Sequence, residues 1–545
     1  MLKFKKLLTT IISASIILGS SSVSYANTTL VLPDPQEFGT PAYLTSVLEA
    51  ANQEEAQQAL NTISRLSPSE ILQFLGEFSY YVDEQNLDKD VIISVLTAFP
   101  SLIDSLNDST VSEILDSDQY SSTFKVYIMD MYNSKLFNSS SSQSDIYKSA
   151  LSTLSNDTSE DMDARIFAAH IWEKDSESLN TLLNLYNIAN DEDDQLLMLK
   201  DISEISPSTA RSIAYEIVEN YKINSPKSVT AANKIYIRSL PSPMGKDAEA
   251  ILALNRQILQ DSSVSNEYTQ GCILALSELP SEESVKLIFD NVEFENQIGM
   301  HLYVDRNFDS LSSYLSKQDF SELERCVTAV PSPKFKPILT KMLNSRSSDL
   351  DTTKIEDLIT LIDTADSVSP TATAVGTEGF AIYRDGVVPE IMDEYHAGLI
   401  ILSDSTNEPI TIAHQPGDND GVRGVSFTNF VGKHDLIGIF KKNVGTRTRA
   451  NIVDTAVDLI NEPMGYCFTS IIIWNENTIS NIEVNDIEQI RCDGVVEYSY
   501  EYWGVRIVGN DGSWDVSTTD GATQHNLRCA SWSPKYQSDK MTKFL

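Results

Sequence analysis

Three side chains in the C-terminal third have the types and order needed for nucleophilic chemistry. Cys492 lies in Ile490-Arg491-Cys492-Asp493-Gly494-Val495-Val496-Glu497-Tyr498, His396 in Tyr395-His396-Ala397-Gly398, and His414 closes the run Ile410 to His414. A thiol at the start of a helix is acidified by the helix dipole and, further, by a nearby imidazolium. The backbone N–H of Cys492 would also be one donor of an oxyanion hole, typically worth about 2.7–4 kcal/mol. These residues therefore predict an acyl-transfer site with Cys492 as nucleophile, His396 as base and His414 as the group that orients the base.

The elements that must hold these residues follow from period and punctuation. His396, Gly398, Ile400 and Leu402 alternate onto one face of a strand, and Ile410, Ile412 and His414 onto one face of the next. Polar residues from Ser403 to Glu408 suggest an antiparallel hairpin. Symmetry about Ser405 sets His396 directly opposite His414, although a one-residue slip would undo that pairing. Further strands are expected at Phe380–Tyr383 and Leu436–Lys441, with helices at about Arg449–Ile460 and Cys492–Trp503. On the second helix Val495, Val496 and Ser499 follow Cys492 at i+3, i+4 and i+7, which places the thiol on the core-facing stripe.

This C-terminal part resembles the permuted NlpC-like cysteine hydrolases, papain-fold enzymes related to the lecithin:retinol acyltransferases. The resemblance rests on Tyr395 to Ile400, Ile437-Gly438-Ile439-Phe440, Asn461-Glu462-Pro463-Met464-Gly465-Tyr466 and Arg491 to Tyr498, and spans about residues 375–540. It implies a permuted papain-like α+β domain over 376–545, with Cys492, His396 and His414 in the catalytic positions. His434, in Gly432-Lys433-His434-Asp435, is the alternative third member.

Before residue 367 the chain reads as scaffold. Amphipathic runs of 10–16 residues recur between stops, opened by Ser-Pro starts at Ser67, Ser206, Ser225, Ser242 and Ser332. In Ser67-Pro68-Ser69-Glu70 the serine and glutamate form a capping box. Leu-Pro-Ser or Val-Pro-Ser punctuation places Pro241, Pro280 and Pro331 39 and 51 residues apart, near the roughly 40–47-residue period of HEAT-like helix pairs. The expectation is an all-α HEAT-like solenoid over 27–366, joined by a linker at 367–375 to the α+β domain. An irregular helical domain is the alternative. His170 and His301 read as packed histidines, and Cys272 and Cys326 as packed thiols. Cys467 and Cys529 could form a disulfide or stay separate.

Lys3, Lys5 and Lys6, the apolar run Leu7 to Gly19 and Ser24-Tyr25-Ala26 have the form of a bacterial signal peptide (1–26) cleaved after Ala26. The run is too short for a spanning helix of roughly 20 residues, so no stable membrane anchor is expected. Loss of the three lysines takes the formal charge from −38 to −41, which disfavours nucleic acid as a partner. Five cysteines are too few for a disulfide framework. No C-x-x-C, H-E-x-x-H or Gly-rich phosphate loop occurs, so no metal or cofactor is expected, and the acidic run Pro416 to Gly421 lacks the EF-hand pattern. The functional expectation is a secreted cysteine hydrolase acting on an amide bond, with cell-wall peptide as substrate. The alternatives are a lipid-ester hydrolase or transferase, and a non-catalytic protein that binds a partner on the helical array. The loop Gln415 to Asn429 is expected to rim the substrate groove.

Overall fold

The computed structural model describes residues 66–84, 105–294, 297–344, 352–365, 376–385, 395–403, 409–416, 421–432, 434, 436–467, 470–509, 512–528 and 534–545. The leader, the 367–375 linker and Cys529 lie outside them. The chain is mostly helical, with a C-terminal region built on a small sheet.

The helical part runs from Pro68–Glu84 to Thr352–Thr364, and successive helices pack on one another along the chain. Local chemistry sets the starts. Glu70 accepts from the Ser67 backbone N–H at 2.8 Å while Ser67 Oγ caps the Glu70 N–H at 3.4 Å. Ser225 and Ser281 cap the helices Pro226–Arg238 and Glu282–Asn291 in the same way. Ser242-Pro243 departs from expectation. No helix starts there, and the next one, Lys246–Gln260, begins after Gly245 at φ 141°, a conformation that suits glycine.

The C-terminal region contains a six-stranded antiparallel sheet, ordered β4-β3-β2-β1-β5-β9. Its strands are β1 (Ala381–Asp385), β2 (Tyr395–Ser403), β3 (Pro409–His414), β4 (Arg423–Ser426), β5 (Leu436–Lys441) and β9 (Thr542–Lys543). A smaller sheet orders β6 (Gly465–Tyr466), β8 (Ile487–Ile490) and β7 (Ile472–Trp474). The helices Thr446–Ile460 and Cys492–Glu501 pack together and cover one face of the large sheet. There Ala397, Leu399, Ile401 and Ala413 join the hydrophobic cluster of both helices. On the other face Ile382, Ile400, Ile412 and Ile439 gather round Phe430, from the short helix Phe427–Val431.

The change of composition near residue 370 does not separate the two parts in space. Leu274 and Leu302, from the helical part, belong to the hydrophobic cluster of the C-terminal region, and Phe137 meets Trp474 edge-on at 4.7 Å. Charge reinforces the joint. Asp454 and Asp458 lie one turn apart on the Thr446–Ile460 helix, and Glu462 follows one turn on, so the three acids make a stripe facing the helical array. Asp454 accepts the His301 N–H at 2.8 Å. Asp458 takes Lys234 at 2.7 Å and Arg306 at 2.9 Å. Glu462 receives both arms of Arg238 at 2.7 and 2.8 Å, with Lys234 at 2.8 Å. Lys200 Nζ donates to the backbone oxygens of Pro463 and Ile487. Buried ions keep their charge only when paired. Burial alone would raise the Asp458 and Glu462 carboxyls, but these cations outweigh it and hold both below the usual carboxylate range.

Candidate active site

The hairpin forms, but its register differs from the symmetric expectation. Leu399 stands opposite Ala413 and Ile400 opposite Ile412, a two-residue offset. Irregularities follow at Ile400/Leu402 and Leu402/Ser403, which simple symmetry about a turn does not anticipate. Because the offset is even, both histidines stay on one face, as a diagonal pair. His396 Nε2 and His414 Nδ1 lie 2.8 Å apart.

The surroundings explain how two imidazoles come to share a proton there. Gly398 leaves space between them: a Cβ at that position would meet Ile412 Cγ2 at 2.6 Å and Phe430 Cε2 at 2.9 Å. Phe430 fills that space and packs on both rings, with centroids 5.6 Å from His396 and 5.4 Å from His414. Both histidines are buried. Burial pushes the His414 imidazole down to about 3, helped by Arg384 and Arg423. Burial, then Arg384, His414 and His434, hold His396 well below its usual range. Both rings are neutral at neutral pH. In the tautomer in which His396 Nε2 donates to His414, the His396 Nδ1 keeps its lone pair and is the nitrogen able to take a proton. His414 is the histidine placed at hydrogen-bond distance from His396, and His434 bears on His396 more weakly than His414 does.

The helix begins at Cys492, as the sequence suggests, and ends at Glu501 rather than Trp503. All ten of its residues are buried, not a stripe alone. Arg491 in extended conformation precedes it, and the Arg491 guanidinium pairs with Asp493 through two 2.6 Å bonds. Gly494 permits close approach to the β7 segment, since a Cβ there would lie 2.5 Å from the Ile471 carbonyl oxygen. At the far end Tyr500 donates to the Gly379 carbonyl, whose own N–H binds Ile400 O. At the near end Tyr383, which stands opposite Ala397, donates to the Gln537 side-chain oxygen at 2.8 Å, and the Gln537 amide donates to the Asp493 carbonyl at 2.9 Å. The helix N-terminus is therefore at the His396 end of β2.

The structure thus brings His396 and His414 together and brings the Cys492 helix to their end of the strand. It sets the imidazoles on the opposite sheet face from the helix body. Tyr466, which ends the Glu462-to-Tyr466 segment, pairs with Ile490, two residues before Cys492.

Sequence reasoning missed Phe430. The segment read as a groove rim, Gln415 to Asn429, contains β4 and the start of the helix that carries Phe430, and only residues 417–420 of it lie outside the described part. Its alternation, Arg423 to Val425, was the available signal. The packed cysteines hold: Cys272 and Cys326 are separate buried thiols whose ionisation burial opposes. His170 is tied to Asp201 at 3.1 Å. His301 lines a cavity of about 1060 Å³ between the helical array and the sheet region, together with Asp191, Asp193, Arg423 and Asp454. None of Cys492, His396 and His414 lines that cavity. Among the described residues no helix is long and apolar enough to cross a membrane. Comparison with family models, curated proteins and solved structures finds no match.

Proposed function

We propose that this chain is a secreted cysteine hydrolase of the permuted papain-like type, carried behind a HEAT-like helical array. Cys492 attacks an amide carbonyl, His396 Nδ1 takes the thiol proton, and His414 fixes the His396 ring. The observation that supports this reading is the 2.8 Å His396–His414 bond under Phe430, at the strand end where the Cys492 helix begins. Attack forms a tetrahedral oxyanion that the Cys492 backbone N–H helps to hold. Its collapse expels the amine with the proton from His396 and leaves an acyl group on sulfur. A water deprotonated by His396 then releases the acid. A peptide of the cell wall is the proposed substrate.

The charge-neutral imidazoles bear on how the thiol is activated. A buried His396 below its usual range favours a neutral thiol–imidazole pair at rest, with proton transfer during attack rather than a standing thiolate. Thiol alkylation followed by peptide mass mapping tests the reading. Cys492 is expected to react faster than Cys272 and Cys326, and His396→Ala is expected to slow Cys492 about 100-fold or more, in the range of general-base effects. A Cys492 that reacts no faster than the packed thiols, or that ignores His396→Ala, refutes the assignment.

A second reading has its own support. The cavity between the array and the sheet region has acids on both walls, in excess of its Lys227, Arg423 and Arg449 and with Asp193 paired to the first two, and that excess would suit a cationic peptide segment bound without chemistry. Binding of such a peptide that survives Cys492→Ala and fails in Asp193→Asn would favour it.

A further inference from the structure

One buried cluster lies outside the proposed site and is unexplained by it. Glu497 and Glu501 stand one turn apart on the Cys492 helix, and His525 comes from the helix Thr519–Asn526. One ligand atom from each lies within 4.8 Å of the other two, and all three residues are buried.

The hydrogen bonds aim these atoms at a common point. His525 Nε2 donates to the Trp514 carbonyl at 2.9 Å, which leaves Nδ1 as the lone-pair nitrogen. A histidine whose second nitrogen is held by a backbone carbonyl is oriented as metal-bound histidines are. That Nδ1 faces Glu497 Oε1 at 3.6 Å. A zinc ion held by nitrogen and oxygen at about 2.0–2.1 Å in a tetrahedron separates its ligands by about 3.4 Å. Glu497 Oε2 is taken by the Gln537 amide at 2.8 Å, and Gln537 is itself fixed by Tyr383. Oε1 of the same carboxyl is buried and accepts no hydrogen bond among the described residues. Glu501 is fastened by the Ile507 and Val516 N–H groups at 3.1 and 2.8 Å, leaving it lone pairs to spare.

Charge supplies a second argument. Two adjacent buried carboxyls are costly as anions unless a cation joins them, and one divalent ion neutralises both.

We propose that Glu497, Glu501 and His525 bind a divalent metal ion of the zinc type, a structural ion that ties the Cys492 helix to the Thr519–Asn526 helix. The mixed imidazole and carboxylate set favours zinc over calcium or magnesium, which prefer oxygen alone. Its helix ligands lie about one and a half and two and a half turns along from Cys492, and the ion fixes that helix against its neighbour.

The test uses the full chain, stripped with chelator and dialysed against zinc chloride, with metal content read by mass spectrometry. Wild type is expected to hold about one equivalent and to melt at higher temperature when loaded. Glu497→Gln and His525→Ala should each weaken zinc binding more than about tenfold. His396→Ala and Cys492→Ala should retain it, which separates this site from the imidazole pair. Cobalt in place of zinc gives a visible absorption that His525→Ala abolishes. A wild-type chain with no stoichiometric zinc overturns the proposal. So does zinc that survives Glu497→Gln, or zinc that is lost only with Cys492→Ala or His396→Ala.

Discussion

Replacing Asp458 by asparagine removes one charge from the joint between the helical array and the sheet region while keeping the shape of the side chain. Lys234 Nζ lies 2.7 Å from Asp458 Oδ1 and Arg306 Nη2 lies 2.9 Å from Oδ2. The Lys234 and Asp458 side chains are 1% and 0% exposed, so water cannot replace the lost partner. At an effective dielectric constant of about 20, each contact is worth about 6 kcal/mol before desolvation is counted. Lys234 keeps Glu462 at 2.8 Å, and Arg306 is less deeply buried at 17% exposure, so only part of this is lost. Removing one partner of a buried pair typically costs about 3–5 kcal/mol, and that is the expected loss. Urea unfolding followed by tryptophan fluorescence measures it, since Trp474 and Trp503 report on the sheet region. A cycle with Lys234→Met should return a coupling of about 2–3 kcal/mol. A cost below about 1 kcal/mol with no coupling would show that the cluster is hydrated, and the reasoning about a dry charged joint would fail.

Two more outcomes follow from the same packing. Gly398→Ala drives a methyl group against Ile412 and Phe430 and should destabilise by about 1–3 kcal/mol, while slowing Cys492 alkylation by displacing His396; unchanged stability and rate would contradict the packing described. Burial raises the Asp454 carboxyl to about 7, against the bonds from His301 and Leu302. A raised acid favours the fold below the ordinary carboxylate range and loses that contribution as pH climbs towards 7. Asp454→Asn should therefore be more stable than wild type at pH 8, with the difference vanishing below about pH 4 in pH-dependent unfolding; a difference that grows on acidification would refute it.

The sequence made the sheet strands legible because each is a short apolar run, rich in β-branched and aromatic residues, between polar breaks: Leu436–Lys441 matches, and the others agree to within two residues. The Cys492 helix start was legible because Arg491 ends the apolar strand before it and Asp493 supplies an acid in the first turn. The hairpin register was not, because the irregularities beside Leu402 shift the pairing without marking the composition. The cover on the imidazoles was hidden in a segment whose Gly, Asp and Asn content reads as loop. The acid stripe at 454, 458 and 462 was visible as spacing, yet its cations come from residues 200 to 306, and nothing local links them. Glu497, Glu501 and His525 escaped for the same reason: His525 comes 24 positions after Glu501, and no short motif spans them.

The stripe also determines what can be cut from this chain. A fragment beginning at residue 376 would carry Asp454, Asp458 and Glu462 into solvent without Lys200, Lys234, Arg238 or Arg306, and would bare the apolar patch that Leu274 and Leu302 now cover. In the whole chain the helical array is a permanent counterion shell for the sheet region. Insertions or swaps that respect the composition boundary would still break the molecule at its most highly charged joint.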